Sequence, residues 1–373
     1  MKKILIGLIM DGRAGGIDKY LLNFYNTVKD EYSIDFLTNK KDNQLESFLG
    51  DNNSCLFEIA SLLHPIKQYK QAKELIKKNG YDAVYINIST ALAFPLLKAA
   101  HDCSVEVIVH SHSSGYDCEA PLKRKIFTFL HYICKGLVCK YANRFFACSD
   151  TAAEWMFNKK INKNNNYKII YNAVDVTKYN YNPNLRDEIR KELCIDDGFV
   201  IGSVGNICYS KNHTFLIDVF NELLKQEPNS YLVIIGEGVL MPQIKEKISK
   251  YGIGDKVKLL GRVDTSRGYM NAFDVFALPS NFEGLGIVYI EAQYTKVPCV
   301  ASDKVPEIAQ ISNMFSFVPL QTKKWVNEIL GYKNIKKDDF VFQNNGRFDL
   351  ANQKEELLSI MEIKKEGKNG IKI

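Results

Sequence analysis

One stretch of the sequence combines the marks of a buried strand, a glycine-containing turn and a helix. Residues 275–292 read VFALPSNFEGLGIVYIEA. The four leading apolar residues are typical of a parallel strand buried on both faces, and Pro279 with the two glycines marks a turn. The apolar run from Ile287 predicts a helix, with Glu283 in the turn and Glu291 in the helix. The stretch therefore predicts one strand–turn–helix unit of a parallel sheet.

The same alternation of short apolar strands and helix-length segments continues along most of the chain. In the first half, strands are predicted at Ile4–Met10, Ile34–Leu37, Ala83–Ile88, Val105–Val109 and Phe145–Cys148, and helices at Ile17–Lys29, Lys67–Asn79, Thr90–His101, Leu122–Cys139 and Asp150–Asn158. In the second half, strands are predicted at Phe199–Val204, Tyr231–Ile235, Val257–Leu260, Val275–Leu278, Pro298–Ala301 and Phe315–Val318, and helices at Asn212–Gln226, Met241–Lys250, Ile287–Thr295 and Thr322–Leu330. This pattern predicts the α/β class, with two doubly wound, Rossmann-like domains.

A weakly apolar stretch, rich in Asn, Asp, Lys and Arg, separates the two series after residues 172–175. We place the domain boundary there, with a first domain at residues 1–175 and a second at 176–348. Ligands of doubly wound sheets bind outside the carboxyl ends of the strands. The cleft between the two domains is therefore the predicted site.

The positive charge of the chain is concentrated in one segment. The 373 residues include 49 Lys and Arg against 43 Asp and Glu, which gives a net charge of +6. Residues 120–149 contain no acid, and their basic residues are Lys123, Arg124, Lys125, Lys135, Lys140 and Arg144. The basic residues form either a solvated helix face or a surface that attracts anions. Helical spacing predicts an apolar stripe that packs on the core of the first domain; its members are Ile126, Phe129, Leu130, Ile133, Leu137, Val138 and Tyr141.

Missing patterns argue against several classes of protein. Nine cysteines without a Cys-x-x-Cys pair argue against a disulfide framework or a zinc cluster, and favour a reducing compartment. The apolar run Ile4–Met10 is too short for a secretion signal, and no run reaches the roughly 18 apolar residues of a membrane span, so we expect a cytoplasmic protein. The absence of Gly-x-Gly-x-x-Gly and Walker A motifs argues against a nicotinamide enzyme or a P-loop NTPase. No Asp-x-Asp pair is present to hold a divalent metal.

Glycines and helix starts indicate an anion site. Gly15-Gly16 lies between the first strand and the first helix, where the backbone can approach a phosphate and the helix N-terminus favours negative charge. The N–H groups near Gly286-Ile287 could bind a diphosphate in the same way. Lys211 lies at the start of a helix, where the dipole does not favour a cation. That placement indicates a partner anion, with a free surface lysine as the alternative.

Two acids and a histidine are candidates for contact with a sugar. Glu283 and Glu291 are eight residues apart, and their carboxylates could accept hydrogen bonds from hydroxyl groups. The alternative is that both acids are solvated, although the apolar neighbours of Glu291 argue against it.

His110 and His112 point to the same side of a strand. We expect His110 to be structural and His112, nearer the carboxyl end, to contact substrate.

Three motifs occur in order along the chain. They are Gly15-Gly16-Ile17-Asp18, then Val204-Gly205-Asn206 with Lys211-Asn212-His213, then Leu278-Pro279-Ser280 with Glu283-Gly284-Leu285-Gly286 and Glu291-Ala292. Together they resemble the retaining nucleotide-sugar glycosyltransferases of GT-B architecture, the group 1 family. Shorter motifs resemble its capsular and exopolysaccharide branch: His110–Ser113, Ala147–Ser149, Ile290–Gln293, and Phe317–Leu320 followed by Trp325. The family usually has Arg where Asn206 stands, which leaves Lys211 as the main cation unless Arg262 substitutes for the missing charge.

The resemblance implies a first domain that binds the acceptor and a second that binds the nucleotide sugar. In residues 349–373, it implies a final helix near Leu350–Met361 that returns to the first domain, before a tail that we expect to be frayed. It implies a retaining, metal-independent transferase that moves a hexose or N-acetylhexosamine from a UDP-sugar, without a cofactor, to a saccharide acceptor that can be lipid-linked. The implied catalytic residues are His112, Glu283 and Lys211. The implied donor-binding residues are Gly15, Gly16, Asn206, Lys211, Arg262, Glu283, Gly284, Leu285, Gly286, Ile287 and Glu291, with Glu291 on the ribose and Glu283 on the donor sugar.

A lipid-linked acceptor would give the basic segment a role. The residues predicted to dock the first domain on anionic lipid, at the inner face of the plasma membrane, are Lys123, Arg124, Lys125, Lys135 and Lys140. No nucleic-acid partner is expected. Two alternatives remain open: a nucleotide-sugar epimerase or hydrolase of the same fold, and a non-catalytic two-domain sugar-binding protein.

Overall fold

The computed structural model describes residues 1–10, 15–158, 161, 165–195, 197–263, 266–343 and 345–362. Within these ranges the chain forms two parallel sheets, one of seven strands and one of six. Each sheet is covered by helices on both faces, so the predicted α/β class with two doubly wound domains is confirmed. Most of the predicted tail, from residue 363 onward, lies outside the described residues.

The first sheet has the strand order β3-β2-β1-β4-β5-β6-β7, and every neighbouring pair is parallel. Its strands are β1 (Lys2–Gly7), β2 (Tyr32–Thr38), β3 (Leu56–Glu58), β4 (Ala83–Ile88), β5 (Glu106–Ser111), β6 (Arg144–Ala147) and β7 (Tyr167–Ile169). Its helices are α1 (Gly15–Val28), α2 (Asn43–Asp51), α3 (Pro65–Asn79), α4 (Phe94–His101), α5 (Pro121–Tyr141) and α6 (Asp150–Met156).

The second sheet has the order β10-β9-β8-β11-β12-β13, again with parallel neighbours. Its strands are β8 (Phe199–Val204), β9 (Ser230–Ile235), β10 (Val257–Gly261), β11 (Val275–Leu278), β12 (Cys299–Ser302) and β13 (Phe315–Val318). Its helices are α7 (Pro183–Glu192), α8 (His213–Leu223), α9 (Met241–Tyr251), α10 (Ser266–Met270), α11 (Ile287–Tyr294) and α12 (Thr322–Gly331).

The hydrophobic pattern does not predict α7, which lies in the stretch interpreted above as a domain junction. This helix follows the Asn182 cap, and Ile189 is its one buried side chain. Two arginines hold it instead of an apolar face: Arg186 and Arg190 donate to opposite oxygens of Asp274, at 2.5 and 2.6 Å. A helix attached by ion pairs leaves little trace in a hydrophobic pattern.

The last described helix, α13 (Lys354–Met361), packs on the first domain rather than the second. Its buried side chains Leu357 and Ile360 share a core with Phe24 of α1. Arg144 on β6 donates to the carbonyls of Ser359 and Ile360 at 2.8 and 2.7 Å. These bonds use carbonyl groups at the helix end that have no partner within the helix.

Only the C-terminal end of the apolar stripe of α5 packs on the core of the first domain, through Val138 and Tyr141, and the prediction is wrong for the first four members. Of its seven members only Val138 is buried, whereas Ile126, Phe129, Leu130 and Ile133 are exposed, Phe129 at 65% and Ile133 at 59%. The inward face is set by His131, which is fully buried. Its Nδ1 accepts from the N–H of Ala91 at 3.0 Å, and its ring stacks on a tryptophan, Trp155, at 3.7 Å. Hydrophobic spacing alone could not reveal that a histidine occupies the core side.

Replacing Phe129 or Ile133 with Ser should therefore leave the free energy of unfolding within about 0.5 kcal/mol of the wild type, because an exposed side chain loses little burial. Val138→Ala, on the inward face of the same helix, should lower it by more than about 1 kcal/mol. Urea denaturation of the three variants provides the measurement. A large loss in Phe129→Ser would mean that α5 packs with its apolar stripe inward.

Candidate active site

A cavity of about 700 Å³ lies where the carboxyl edges of the two sheets face each other. The sequence-predicted site residues that line it are Gly15, Gly16, His112, Asn206, Lys211, Arg262, Glu283, Gly284, Leu285, Gly286, Ile287 and Glu291. The structure thus brings all twelve candidate catalytic and donor-binding residues into one cleft. Other lining residues were not predicted from the sequence, among them Lys19, Asp117, Asn172, Tyr179 and Arg267.

Two helix N-termini face each other across this cleft. A Cβ placed on Gly16, at the start of α1, would lie only 3.6 Å from the side chain of Ile287, the first residue of α11. Gly286 caps α11 with φ at +84°, and a Cβ there would lie 2.8 Å from the ring of Tyr289. Glycine is therefore required at this position. The first N–H groups of a helix have no partner within the helix, and those of α1 and α11 make this part of the cleft suited to an anion such as a diphosphate.

Glu283 and Lys211 form a partly buried ion pair, which the sequence did not predict. The Lys211 ammonium donates to both carboxylate oxygens of Glu283, at 2.6 and 2.8 Å, and Ser280 donates its hydroxyl to one of them at 2.7 Å. Glu283 is only 7% exposed. A buried carboxylate needs such partners, and the pair fixes the position of an otherwise flexible lysine in the cavity that both helix N-termini line.

Glu291 is also buried, at 2% exposed, so a solvated acid is excluded. The hydroxyl of Tyr179 donates to its Oε1 at 2.8 Å, and Lys19 of α1 reaches the same oxygen at 3.3 Å. Burial, followed by the negative charge of Glu291, raises the pKa of Tyr179, which therefore stays a neutral donor. Because Lys19 belongs to the first domain, Glu291 is one point at which the two domains are joined.

His112 is held by Asn87 and stays uncharged. Its Nε2 lies 2.8 Å from the Oδ1 of Asn87, which makes this nitrogen the protonated one. Burial lowers its pKa to about 3. The Nδ1 atom has no partner among the described residues, and the side chain lines the cleft. His110 is fully buried and bonded to the hydroxyl of Tyr85 at 2.6 Å, as a structural histidine would be.

The position that differs from the family pattern, Asn206, is exposed at the cleft beside Gly15. Other positively charged residues line the cavity together with Lys211; they are Lys19, Arg262 and Arg267. Within the described ranges, no group of three His, Cys, Asp or Glu residues is arranged to hold a metal ion.

The five basic residues proposed for membrane contact have different surroundings. Lys123, Lys125 and Lys140 are exposed. Lys135 is half-buried and donates to the carbonyl of Glu154 at 2.7 Å. Arg124 is half-buried and stacks on a tyrosine ring of the second domain. No helix among the described residues has both the length and the apolar content to span a bilayer.

Comparison with known proteins identifies the class of protein. Residues 14–178 match the model of Glycosyltransferase Family 4, and residues 185–330 match that of Glycosyl transferases group 1. The two matches cover most of the chain, one in each domain. The chain belongs to the group 1 glycosyltransferases and has the GT-B architecture of that family.

Relatives and solved structures agree with this assignment. The capsular polysaccharide biosynthesis glycosyltransferase CapH of Staphylococcus aureus is 26% identical over 327 residues, which is 86% of each protein. An Escherichia coli UDP-Gal:alpha-D-GlcNAc-diphosphoundecaprenol alpha-1,3-galactosyltransferase is 25% identical, over 77% of this chain and 76% of the relative. Anabaena HepE in complex with UDP-glucose matches the fold with a TM-score of 0.75 and 18% identity, over 96% of this chain and 99% of that one.

The neutral state of His112 leads to a prediction about pH. Because its pKa lies near 3, the imidazole should not titrate between pH 5 and 8, and it can serve there as a hydrogen-bonding group but not as a general acid. Plots of kcat against pH for wild type and His112→Gln should have the same shape, while His112→Ala should be less active than His112→Gln. An inflection near pH 6.5 that disappears in His112→Gln would contradict the assignment.

Proposed function

We propose that the protein is a retaining, metal-independent glycosyltransferase that uses a UDP-sugar. It moves a hexose or N-acetylhexosamine to a saccharide acceptor, lipid-linked, in the assembly of a capsule or exopolysaccharide. The observation that carries the proposal is the Lys211–Glu283 pair, which fixes a cation in the cavity that the N-termini of α1 and α11 also line. The E. coli relative is named for a UDP-galactose donor and a diphosphoundecaprenol-linked acceptor, which supports the donor and acceptor classes.

The leaving diphosphate is assigned to the space between the starts of α1 and α11. Negative charge grows on it as the glycosidic bond breaks, and preorganised N–H groups together with the Lys211 ammonium stabilise that charge most in the transition state. Glu283 orients Lys211, and its remaining lone pairs accept a hydroxyl of the donor sugar. Glu291 holds the ribose hydroxyls.

For a retained configuration, the acceptor hydroxyl attacks from the face that the diphosphate leaves, and the departing diphosphate takes its proton. His112 remains uncharged throughout. Its free Nδ1 accepts a hydrogen bond from a hydroxyl of the sugar or of the acceptor, and Asn87 keeps the ring in that orientation.

Membrane contact is proposed for the outer face of α5. The exposed apolar side chains Ile126, Phe129 and Ile133 lie on the same helix as the exposed Lys123 and Lys125. Apolar insertion combined with basic residues near the headgroups is the pattern of a helix that lies in a membrane interface. Each basic residue near an anionic surface contributes about 1 kcal/mol. Such contact would bring the acceptor domain to a lipid-linked substrate.

The donor assignment is tested by UDP release from a panel of UDP-sugars, with a membrane-lipid fraction as acceptor. Lys211→Ala should lower kcat by about ten- to a hundred-fold, since a charge-assisted hydrogen bond contributes about 1.5–3 kcal/mol, and should change donor KM less. Lys247→Ala, which breaks a 2.6 Å pair with Asp218, is the matched control. Turnover should survive EDTA.

Equal turnover of the Lys211 and Lys247 variants would contradict the role of Lys211. Activity that is lost in EDTA and restored by Mn²⁺ or Mg²⁺ would contradict metal independence. Release of free sugar without any acceptor product would identify a hydrolase instead of a transferase.

The membrane assignment is tested by co-sedimentation with vesicles that contain anionic lipid. The pairs Phe129→Ser with Ile133→Ser, and Lys123→Glu with Lys125→Glu, should each reduce the pelleted fraction. High salt should weaken binding, because charge interactions are screened over about 10 Å at 0.1 M. Val341→Ser removes an equally exposed apolar side chain from another surface and is the control. Pelleting that no variant and no salt concentration alters would refute the docking face.

A further inference from the structure

The two domains touch at a second place, beside the cleft. A strap of the first domain, residues 113–119, leaves the end of β5 and leads into α5. It contacts residues 209–211 of the second domain, which we name the donor loop because it ends in Lys211. A Cβ on Gly115 would lie 2.7 Å from the ring of Phe282, so the strap passes directly under that ring.

The strap holds the backbone on both sides of the Lys211–Glu283 pair. Asp117 accepts from the N–H of Ser210 at 3.0 Å and from its hydroxyl at 3.1 Å. Ser114 donates its hydroxyl to the carbonyl of Glu283 at 2.5 Å. Glu283, and Ser210 next to Lys211, are thus both hydrogen-bonded to the first domain.

Arg124 closes this contact from the first turn of α5. Its guanidinium carbon lies 3.6 Å from the centre of the Tyr209 ring, within the range of a cation–π contact. Its Nη1 donates to the carbonyls of Cys118 and Glu119 at 2.7 and 3.2 Å. These bonds fix the guanidinium before it meets the ring, so that little side-chain freedom is lost in the contact.

Tyr209 connects Arg124 to the loop that carries Glu283. Its carbonyl accepts from the side-chain amide of Asn281 at 2.7 Å, and the N–H of Asn281 donates to the carbonyl of Ser210 at 2.7 Å. The donor loop and the Glu283 loop are therefore hydrogen-bonded to each other, and Arg124 packs on the Tyr209 ring of the donor loop.

We propose that Arg124 and Tyr209 form an inter-domain clamp that positions Lys211 and Glu283 for the leaving diphosphate. Arg124 is then a positioning residue for the donor site, although it belongs to the acceptor domain and lies in the basic segment expected to face lipid. This inference rests on the proposed function, because it assigns the Lys211–Glu283 pair to the diphosphate. The clamp acts on the geometry of the reacting state, and its loss should lower kcat more than donor binding.

The test uses the full chain and measures UDP release with the donor identified by the panel and a detergent-solubilised lipid fraction as acceptor. Arg124→Ala and Tyr209→Ala should each lower kcat about two- to thirty-fold, which is the range of a cation–π contact converted to a rate. The double variant should be no slower than the slower single variant, because both changes remove one contact. Tyr209→Phe keeps the ring and should remain near the wild-type rate.

Lys256→Ala is the matched control. It removes a cation–π contact with Tyr231 at 4.3 Å, near the end of β9 that is remote from the cleft. Its kcat should equal that of the wild type. Thermal unfolding of every variant separates a loss of kcat from a loss of fold: the clamp requires that Arg124→Ala loses kcat at a temperature where it is fully folded.

Several results would overturn the clamp. The first is a kcat of Arg124→Ala equal to that of Lys256→Ala. The second is that the effects of Arg124→Ala and Tyr209→Ala on kcat add up in the double variant. The third is that Arg124→Ala no longer pellets with vesicles while its kcat in detergent is unchanged. The last of these would assign Arg124 to lipid. Lys211→Ala in the same assay distinguishes the two proposals. If it is inactive while Arg124→Ala is normal, only the clamp fails, whereas an unchanged Lys211→Ala refutes both.

Discussion

A carboxylate buried at the mouth of a cleft needs a positive partner within hydrogen-bonding distance, and Glu283 satisfies this need with Lys211. The two residues come from different loops, one after β11 and one after β8. Because β8 and β11 are neighbours in the sheet, their carboxyl ends lie side by side, and a short turn suffices to bring the two side chains together. Ser280 completes the set of donors. The parallel sheet is thus the reason that a lysine and a glutamate 72 residues apart can form one unit.

The two domains also approach each other closely next to this pair. Gly284, immediately after Glu283, could not carry a side chain, because a Cβ there would lie 2.1 Å from the carbonyl oxygen of His112. Ser149, at the start of α6, donates its hydroxyl to the Gly284 carbonyl. The backbone beside Glu283 is therefore fixed by the domain that holds His112. The uncharged imidazole of His112 and the charged pair therefore line one cavity.

The sequence predicted the interior strands well, and it failed at the margins. Ala83–Ile88 and Phe199–Val204 were predicted to the residue, since strands buried on both faces are continuously apolar. The three-residue edge strands β3 and β7 are too short for such a signal. At the site, the residues that directly follow predicted strands were identified from the sequence as site residues. Lys19 and Tyr179 were not identified, because their contact with Glu291 depends on how the domains pack and not on any local pattern.

The helix α5 shows what a hydrophobic pattern cannot decide. Its spacing correctly predicts a helix, but not which face meets the core, because the inward face is marked by a buried histidine and the outward face by Phe129 and Ile133. The first turn of the same helix carries Arg124, which contacts the donor domain. If the outer face of α5 contacts lipid while its first turn contacts the donor loop, the position of the helix on the membrane would affect the geometry of the Lys211–Glu283 pair. Arg124 and Tyr209 would then couple two events that a transfer to a lipid-linked acceptor needs. One is the binding of the protein to the membrane, and the other is the positioning of Lys211 and Glu283 for the diphosphate.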